Sequence, residues 1–264
     1  MKWIKRLFNH KEDLPKDVEF PPPLCKRRSI RKVALKTYYR LSDHGYNKVK
    51  PDYINNFSCL SNYAKEFGKD DLYIIADNVS DETYQRLCKE GYYAERTQFG
   101  NGAASFRHAL DLALLNSDNT LIYFLEDDYL HRAKARNILI EGLFSGADYV
   151  SLYDHPDKYI DRKQGGENPF IDSGGELTRV ILTQSAHWKI TNSTTMTFAA
   201  GVETLKRDKD IIREFIQGPH PRDFDMFLAL RQRGRTLITP IPGYSTHGET
   251  KWLSALTDWR RVAG

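Results

Sequence analysis

The first half of the chain alternates short apolar runs with segments whose apolar residues recur at helical spacing. The runs predict strands at residues 32–40, 71–76, 92–97 and 121–125. The segments between them predict helices at residues 51–68, 81–89 and 103–115. Strands and helices in this order predict a parallel sheet with right-handed crossovers, because each helix returns the chain to the end of the sheet at which the previous strand began. We therefore expect an α/β fold with helices on both faces of the sheet.

The second half is less regular. Strands are predicted at residues 147–153, within 179–198 and at 236–241, and a helix at 224–234. A polar, glycine-rich stretch at residues 161–175 is typical of a mobile loop. The length of 264 residues suits one α/β domain, or a domain with an appendage. We expect a single domain at residues 29–264, preceded by a tail at residues 1–28.

The tail allows two interpretations. On a helix, four apolar residues would share one face, as in a small interfacial membrane anchor: Trp3, Ile4, Leu7 and Phe8. The preferred interpretation is a surface helix that docks on its own domain, or a frayed terminus. The prolines at residues 21–23 predict an extended spacer before the folded domain.

Composition bounds the class of protein. The formal net charge is only +4, which does not favour nucleic acid as a partner. The cysteines Cys25, Cys59 and Cys88 are widely spaced and form no CxxC pair, so neither a zinc knuckle nor a disulfide framework is indicated. No apolar run approaches 18 uninterrupted residues. We expect a cytoplasmic protein, with peripheral membrane contact through the tail as an alternative.

Three consecutive carboxylates, Glu126, Asp127 and Asp128, directly follow the apolar run at residues 121–125. Clustered negative charges make each other harder to ionise, and a divalent cation removes that cost. Mg²⁺ and Mn²⁺ prefer oxygen ligands, and ligands of open α/β sheets bind at the carboxyl ends of the strands. The cluster therefore predicts a site for a metal-bound phosphate ligand. The alternative is a solvated acidic turn in which Asp128 caps a helix.

Four patches of sequence carry a family resemblance. They are IIADN at 74–78, GAASFRHALDLA at 102–113, YFLEDDYL at 123–130 and DFDMFLALRQRG at 223–234. In this order they resemble the GT-A fold of nucleotide-sugar glycosyltransferases, and the inverting family two in particular. The resemblance covers about residues 30–250. It implies a nucleotide-sugar half at residues 29–130 and an acceptor half at residues 131–250, with a smaller β region on the acceptor side.

The resemblance implies a donor-binding set in the first half. Asp77 matches the acid that holds the nucleobase in the family. Arg107 matches the arginine of the second patch, where His108 replaces the usual asparagine; the alternative for Arg107 is a salt bridge on the helix surface. Thr37 and Tyr38, in the first strand, complete the predicted donor-binding set.

The resemblance also implies a metal site. In an extended strand Glu126 and Asp128 point to one face and Asp127 to the other. Asp128 matches the direct metal ligand, and Glu126 or Asp127 would contact the ribose or a metal-bound water. In many GT-A proteins a histidine near the C-terminal end completes the metal site or touches the diphosphate, which makes His247 a candidate. A lone histidine is also commonly a surface or core residue.

A catalytic base is implied by the fourth patch. Counting back from Arg231 places the base on Asp225, although Phe224 stands where the family has glutamate. That departure leaves Asp223 as a rival. Both acids could instead cap the helix that begins near residue 224.

Acceptor contacts are predicted at two further residues. Trp188 could stack on the apolar face of a sugar ring, and Asp154, which ends a predicted strand, could reach the donor sugar or the acceptor. The alternative for Trp188 is a place in a β-strand with exposed threonines.

The implied function is a Mn²⁺- or Mg²⁺-dependent, inverting glycosyltransferase that uses a nucleotide diphosphate sugar, UDP-linked in the first instance, and transfers to a hydroxyl of a glycan. A sugar nucleotidyltransferase is a competing hypothesis, but the loop after the first strand, KTYYRLSDHGYNK, lacks the glycine cluster typical of that class. A non-catalytic module that binds a nucleotide or sugar on the same fold is the third hypothesis.

Overall fold

The computed structural model describes residues 34–45 and 48–264, so the predicted tail lies outside the described residues. The strands are β1 (Leu35–Leu41), β2 (Leu72–Asp77), β3 (Ala94–Thr97), β4 (Leu121–Glu126), β5 (Tyr129–His131), β6 (Tyr149–Val150), β7 (Val180–Leu182), β8 (His187–Ile190), β9 (Phe198–Gly201), β10 (Leu237–Ile241) and β11 (Ser245–His247). The helices are α1 (Asn56–Phe67), α2 (Asp81–Lys89), α3 (Gly102–Leu114), α4 (Ala135–Phe144), α5 (Val202–Glu214), α6 (Asp223–Gln232) and α7 (Trp259–Ala263).

Nine strands form one sheet in the order β3-β2-β1-β4-β9-β6-β10-β8-β7. The first four strands of that order are parallel, as the alternation of strands and helices predicted. β9 runs antiparallel to both β4 and β6, and β8 and β7 continue antiparallel from β10. A separate two-stranded sheet pairs β11 with β5. The α/β prediction is confirmed. Among the described residues, every antiparallel pair includes at least one strand from the second half of the chain.

Local signals set the ends of the first helices. The side chain of Ser80 accepts a hydrogen bond from the backbone N–H of Thr83 and so caps α2. Asn101 caps α3 in the same way. Gly68 ends α1 with a φ of 88°, a conformation that favours glycine. These helices were therefore predictable within a few residues.

Elements without such signals were missed or misjudged. α4 and α5 were not predicted, and both begin without a side-chain cap, after Lys134 and Gly201 respectively. The β5–β11 pair was also missed, since each strand has only three residues. The predicted strand at residues 147–153 is reduced to the two residues of β6.

β4 lies at the centre of the core. Four of its residues, Ile122, Tyr123, Phe124 and Leu125, are fully buried. Tyr123 and Leu125 belong to the apolar layer on one face of the sheet, and Ile122 and Phe124 to the layer on the other, because successive side chains of a strand alternate. A strand covered on both faces can present polar groups only at its ends. The three carboxylates lie at such an end.

Within residues 34–45 and 48–264, no helix is both long enough and apolar enough to cross a bilayer.

Candidate functional site

A crevice of about 600 Å³ opens at the carboxyl ends of β1, β2 and β4. β1 lies between β2 and β4 in the sheet. The chain leaves β1 toward β2 on one side, and β4 is added on the other side, so the strand order reverses at β1. Ligands of open α/β sheets bind at such points. The described lining comprises residues 40–42, 44–45, 48, 50, 77–78, 100–102, 105, 126–128 and 219–220. The carboxylate cluster and Asp77 therefore face one cavity, as their positions after neighbouring strands predicted.

Asp128 and His247 lie side by side although they are far apart in the sequence. Oδ2 of Asp128 is 3.3 Å from Nε2 of His247. Asp128 directly precedes β5, and the antiparallel register pairs Tyr129 with His247 at the end of β11. Gly248 permits the approach, because a Cβ there would lie 2.8 Å from the carbonyl oxygen of Asp128. The predicted metal pair is thus brought together by the small sheet that the sequence did not reveal.

The geometry of this pair fits a divalent cation. Oδ1 of Asp128 is buried and has no hydrogen-bond partner within residues 34–45 and 48–264. Two neighbouring ligands of an octahedral ion at about 2.1 Å lie about 3 Å apart, close to the observed separation of Asp128 and His247. Among the described residues no group of three or more acidic, histidine or cysteine side chains could hold a metal. A cation held here would take Asp128 and His247 from the protein, and phosphate oxygens and water would fill its other positions.

Two lysines contact the same carboxylate. Nζ of Lys50 lies 3.2 Å and Nζ of Lys48 lies 3.5 Å from Oδ2 of Asp128, and Lys48 is also 2.8 Å from Nε2 of His247. Burial opposes the charge of Asp128, but His247 and the two lysines outweigh it and hold the pKa of Asp128 well below its ordinary value. Burial likewise opposes the charge of Lys48, and Asp128 with Glu126 outweighs it and raises the pKa of Lys48.

The other two carboxylates have different partners. Asp127 accepts a hydrogen bond of 2.8 Å from the backbone N–H of Ser42, in the loop after β1. Burial, followed by the charge of Asp128, raises the pKa of Asp127 to about 7. Glu126 forms an ion pair of 3.0 Å with Arg40. Glu126 and Asp127 therefore both contact residues at the end of β1.

Asp77 is 5% exposed and holds the turn that precedes α3. Its carboxylate accepts hydrogen bonds from the backbone N–H groups of Phe99 and Gly100, at 2.6 and 3.2 Å, and from the hydroxyl of Thr97 at 3.1 Å. Asp77 thus shapes one wall of the crevice as well as lining it.

Arg40 is a site residue that the sequence reasoning missed. It is the penultimate residue of β1, lies in the sheet register opposite Glu126, is 7% exposed, and donates to the carbonyl of Gly102 at 3.0 Å. The rule that picked Asp77, a polar residue at a strand end, also applies to Arg40. Arg107, in contrast, is a partly exposed residue of α3 and is not among the described residues that line the crevice.

Thr37 and Tyr38 lie in the core, away from the crevice. Thr37 is fully buried and accepts a hydrogen bond of 2.6 Å from the hydroxyl of Tyr63. The hydroxyl of Tyr38 donates to the carbonyl of Leu112 at 3.0 Å and accepts from Asn116 at 2.9 Å. The structure does not bring these two residues to the other predicted donor contacts.

Trp188 and Asp154 are also buried. The indole of Trp188 is fully covered, and its N–H donates to Thr183 at 2.8 Å. Asp154 accepts from the hydroxyl of Tyr159 at 2.6 Å and pairs with the buried Lys189 at 2.9 Å. Both side chains therefore support the second half of the sheet from within.

The two candidate bases differ in their surroundings. The side chain of Asp225 is 51% exposed and lies 3.6 Å from Arg222. Asp223 is partly buried; burial, and then the charge of Glu126, raises the pKa of Asp223 to about 6. The N-terminal cap position of α6 belongs to Arg222, and no side chain makes the capping hydrogen bond.

Comparisons with known proteins show the fold. No family of sequences matches the chain, and no curated protein matches it. The structure of GalNAc-T7 with UDP, GalNAc and Mn²⁺ is similar with a TM-score of 0.53 and 10% identity, over 81% of this chain and 43% of that one. The chain thus spans less than half the length of GalNAc-T7. This chain has a GT-A-like fold.

Two nucleotide-handling proteins are also similar. A nucleotidyl transferase from Methanothermobacter has a TM-score of 0.46 and 9% identity, with 78% of this chain and 86% of that one covered. CMP:2-keto-3-deoxy-manno-octonic acid synthetase, complexed with CTP, has a TM-score of 0.43 and 12% identity, with 80% and 92% covered.

Proposed function

We propose that this protein is a divalent-metal-dependent glycosyltransferase that moves a sugar from a nucleotide diphosphate sugar to an acceptor hydroxyl, with inversion at the anomeric carbon. The observation that carries the proposal is the pairing of Asp128 with His247, 3.3 Å apart at the carboxyl end of β4, with one carboxylate oxygen buried and without a hydrogen-bond partner among the described residues. A solvated acidic turn does not account for a buried carboxylate that lies beside a histidine from a distant part of the sequence.

The basic side of the crevice suits a diphosphate. Arg40, Lys48 and Lys50 line it, and their charges attract and orient phosphate oxygens. When bound to Asp128 and His247, Mn²⁺ or Mg²⁺ supplies positive charge that stabilises the leaving diphosphate. Asp77, with its ordered turn at residues 97–100, forms the wall on which the nucleobase rests. UDP is the first nucleotide to test, because GalNAc-T7, which has a similar fold, was solved with it.

Asp223 is the proposed general base. A carboxylate that takes a proton at neutral pH works best when its pKa lies near the working pH, and the pKa of Asp223 is raised to about 6. The acceptor oxygen attacks the anomeric carbon, its proton passes to Asp223, and the bond from the anomeric carbon to the diphosphate breaks. Attack from the side opposite the leaving group inverts that centre. This assigns the role to Asp223 rather than to Asp225, which faces solvent.

The acceptor is proposed to be a glycan hydroxyl that approaches from the side of α6. Trp188 and Asp154 are covered by protein, and neither presents a free face to an acceptor. Arg107 is retained as a helix-surface residue without a direct role.

Donor binding gives the first test. We expect UDP to bind the protein in calorimetry when Mn²⁺ is present, and Asp128→Ala to remove the part of the affinity that depends on Mn²⁺. Asp118→Ala is the matched control, because this acid is exposed and pairs only with Lys206 in the structure's ion pairs. UDP affinity that is equal in Asp128→Ala and wild type, with Mn²⁺ saturating, would refute the metal assignment.

Turnover separates the three candidate functions. A glycosyltransferase slowly hydrolyses its sugar donor without an acceptor, so a panel of UDP-sugars should release UDP. A nucleotidyltransferase would instead release pyrophosphate from a nucleoside triphosphate and a sugar phosphate. A binding module would hold the nucleotide and do neither.

A further inference from the structure

Lys48 lies where two candidate metal ligands converge. Its Nζ is 2.8 Å from Nε2 of His247 and 3.5 Å from Oδ2 of Asp128, and these two atoms are themselves 3.3 Å apart. An ammonium group has hydrogen atoms to donate and no lone pair to accept with. Lys48 therefore places a positive charge at the point where a metal would bind, in contact with both candidate ligand atoms.

We propose that Lys48 is the resident counter-ion of the Asp128–His247 pair, and that a divalent cation and a nucleotide diphosphate displace it together. This inference rests on the proposed function and adds to it a coupling between cation binding and nucleotide binding. Lys48 and a divalent cation cannot share the position, because like charges a few ångströms apart repel strongly in a partly buried site.

The crevice gives Lys48 somewhere to go. Its side chain is 26% exposed, so it can leave Asp128 without crossing the core. It lines the same cavity as Arg40, in which the diphosphate is proposed to lie. A bound diphosphate offers Lys48 a new anionic partner, so the cost of displacing it falls when the nucleotide is present. Mn²⁺ alone should therefore bind weakly, and UDP should strengthen it.

Lys50 does not duplicate this arrangement. It is 3.2 Å from Oδ2 of Asp128 and approaches the carboxylate, while the contact with His247 is made by Lys48. Lys50 keeps Asp128 paired when Lys48 is removed, so substitutions of Lys48 leave no uncompensated buried charge and should preserve the fold.

The test is a titration of MnCl₂ into the full chain, first without nucleotide and then with saturating UDP. The free Mn²⁺ concentration is measured by its electron paramagnetic resonance signal at each step, which gives the Mn²⁺ affinity. We expect Lys48→Met to bind Mn²⁺ alone at least about 5-fold more tightly than wild type, the lower end for coupled sites. The factor by which UDP strengthens Mn²⁺ binding should fall by the same amount. Lys48→Gln, which keeps a hydrogen-bond donor near His247 but no charge, should behave in the same way.

Lys206→Met is the matched control, since it removes the same charge from an exposed ion pair on α5. It should leave both Mn²⁺ affinities unchanged. If wild type binds UDP with Mn²⁺ but Lys48→Met binds Mn²⁺ alone no more tightly than wild type, the inference is overturned and the proposed function stands. If wild type binds UDP neither with nor without Mn²⁺, both fall.

Discussion

Asp223 and Asp225 lie two positions apart at the start of α6, and their surroundings give them different chemistry. Asp225 faces solvent beside Arg222, while Asp223 is close enough to Glu126 for that charge to raise its pKa. The number of residues between Arg231 and Asp225 can be read from the sequence, which is how the family resemblance pointed to Asp225. It could not show which side of the first turn faces the carboxylates of β4, since that depends on how α6 is oriented.

We expect Asp223→Asn to lower the rate of sugar transfer by about 10²–10⁴-fold while UDP binding is retained, because an amide cannot take the acceptor proton. Asp225→Asn is the matched control and should transfer at close to the wild-type rate. The wild-type kcat should also fall as the pH drops through about 6, where Asp223 becomes protonated. A large loss in Asp225→Asn with none in Asp223→Asn would reverse the assignment.

The pH dependence of protein stability provides an independent test of the raised pKa of Asp223. The folded pKa of Asp223, about 6, lies above its ordinary value of 3.8, so the folded state binds the proton more tightly than the unfolded state does. The carboxylate therefore costs nothing below pH 4 and destabilises the fold increasingly as the pH rises to 6. Asp223→Asn should raise the melting temperature at pH 8 and leave it nearly unchanged at pH 4.

At the scale of elements, β5 connects Asp128 and His247, the candidate metal ligands, to the core through a buried histidine. His131 is fully buried, its Nε2 is 2.9 Å from the hydroxyl of Tyr123, and its backbone N–H donates to Asn62 at 2.7 Å. Burial lowers the pKa of His131 from 6.5 to about 3. The unfolded chain thus binds a proton between these values that the folded chain does not.

The β5 region should therefore make the protein sensitive to acid. Stability is unaffected by His131 above pH 6.5 and is lost as the pH falls below it, by about 2 kcal/mol at pH 5 from the linkage relation. His131→Gln can still hydrogen-bond to Tyr123 but does not titrate. Its free energy of unfolding, measured by urea denaturation, should drop less than that of wild type between pH 7.5 and pH 5. Equal drops in both proteins would contradict this.

The elements that the sequence predicted are those with both a period and a stop signal. α2 runs from Asp81 to Lys89 as predicted, because Ser80 caps it and the residues beyond it favour a turn. α5 carries no such cap, and β5 and β11 are too short for a period of two to be read. These short strands matter most for the site, because their pairing sets His247 beside Asp128.

At the scale of the whole molecule, the candidate site combines one half that the sequence reveals with one that only the fold supplies. Strand ends predicted that Asp77 and residues 126–128 would share a crevice, and the structure bears this out. The basic side consists of Arg40, near the end of β1, and of Lys48 and Lys50, whose positions depend on the path of the loop after that strand. Three residues predicted to contact a ligand lie in the core instead: Thr37, Tyr38 and Trp188. The faces of the sheet on which they lie are covered by other elements, and this covering cannot be predicted from a single sequence.

Crystals of the protein soaked with MnCl₂ and UDP would locate the metal through the anomalous scattering of manganese. We expect one strong anomalous peak beside Asp128 and His247 and next to the diphosphate, with Lys48 moved away from the histidine. Ordered UDP in the crevice with no manganese at Asp128, or manganese and UDP bound elsewhere on the molecule, would contradict this expectation.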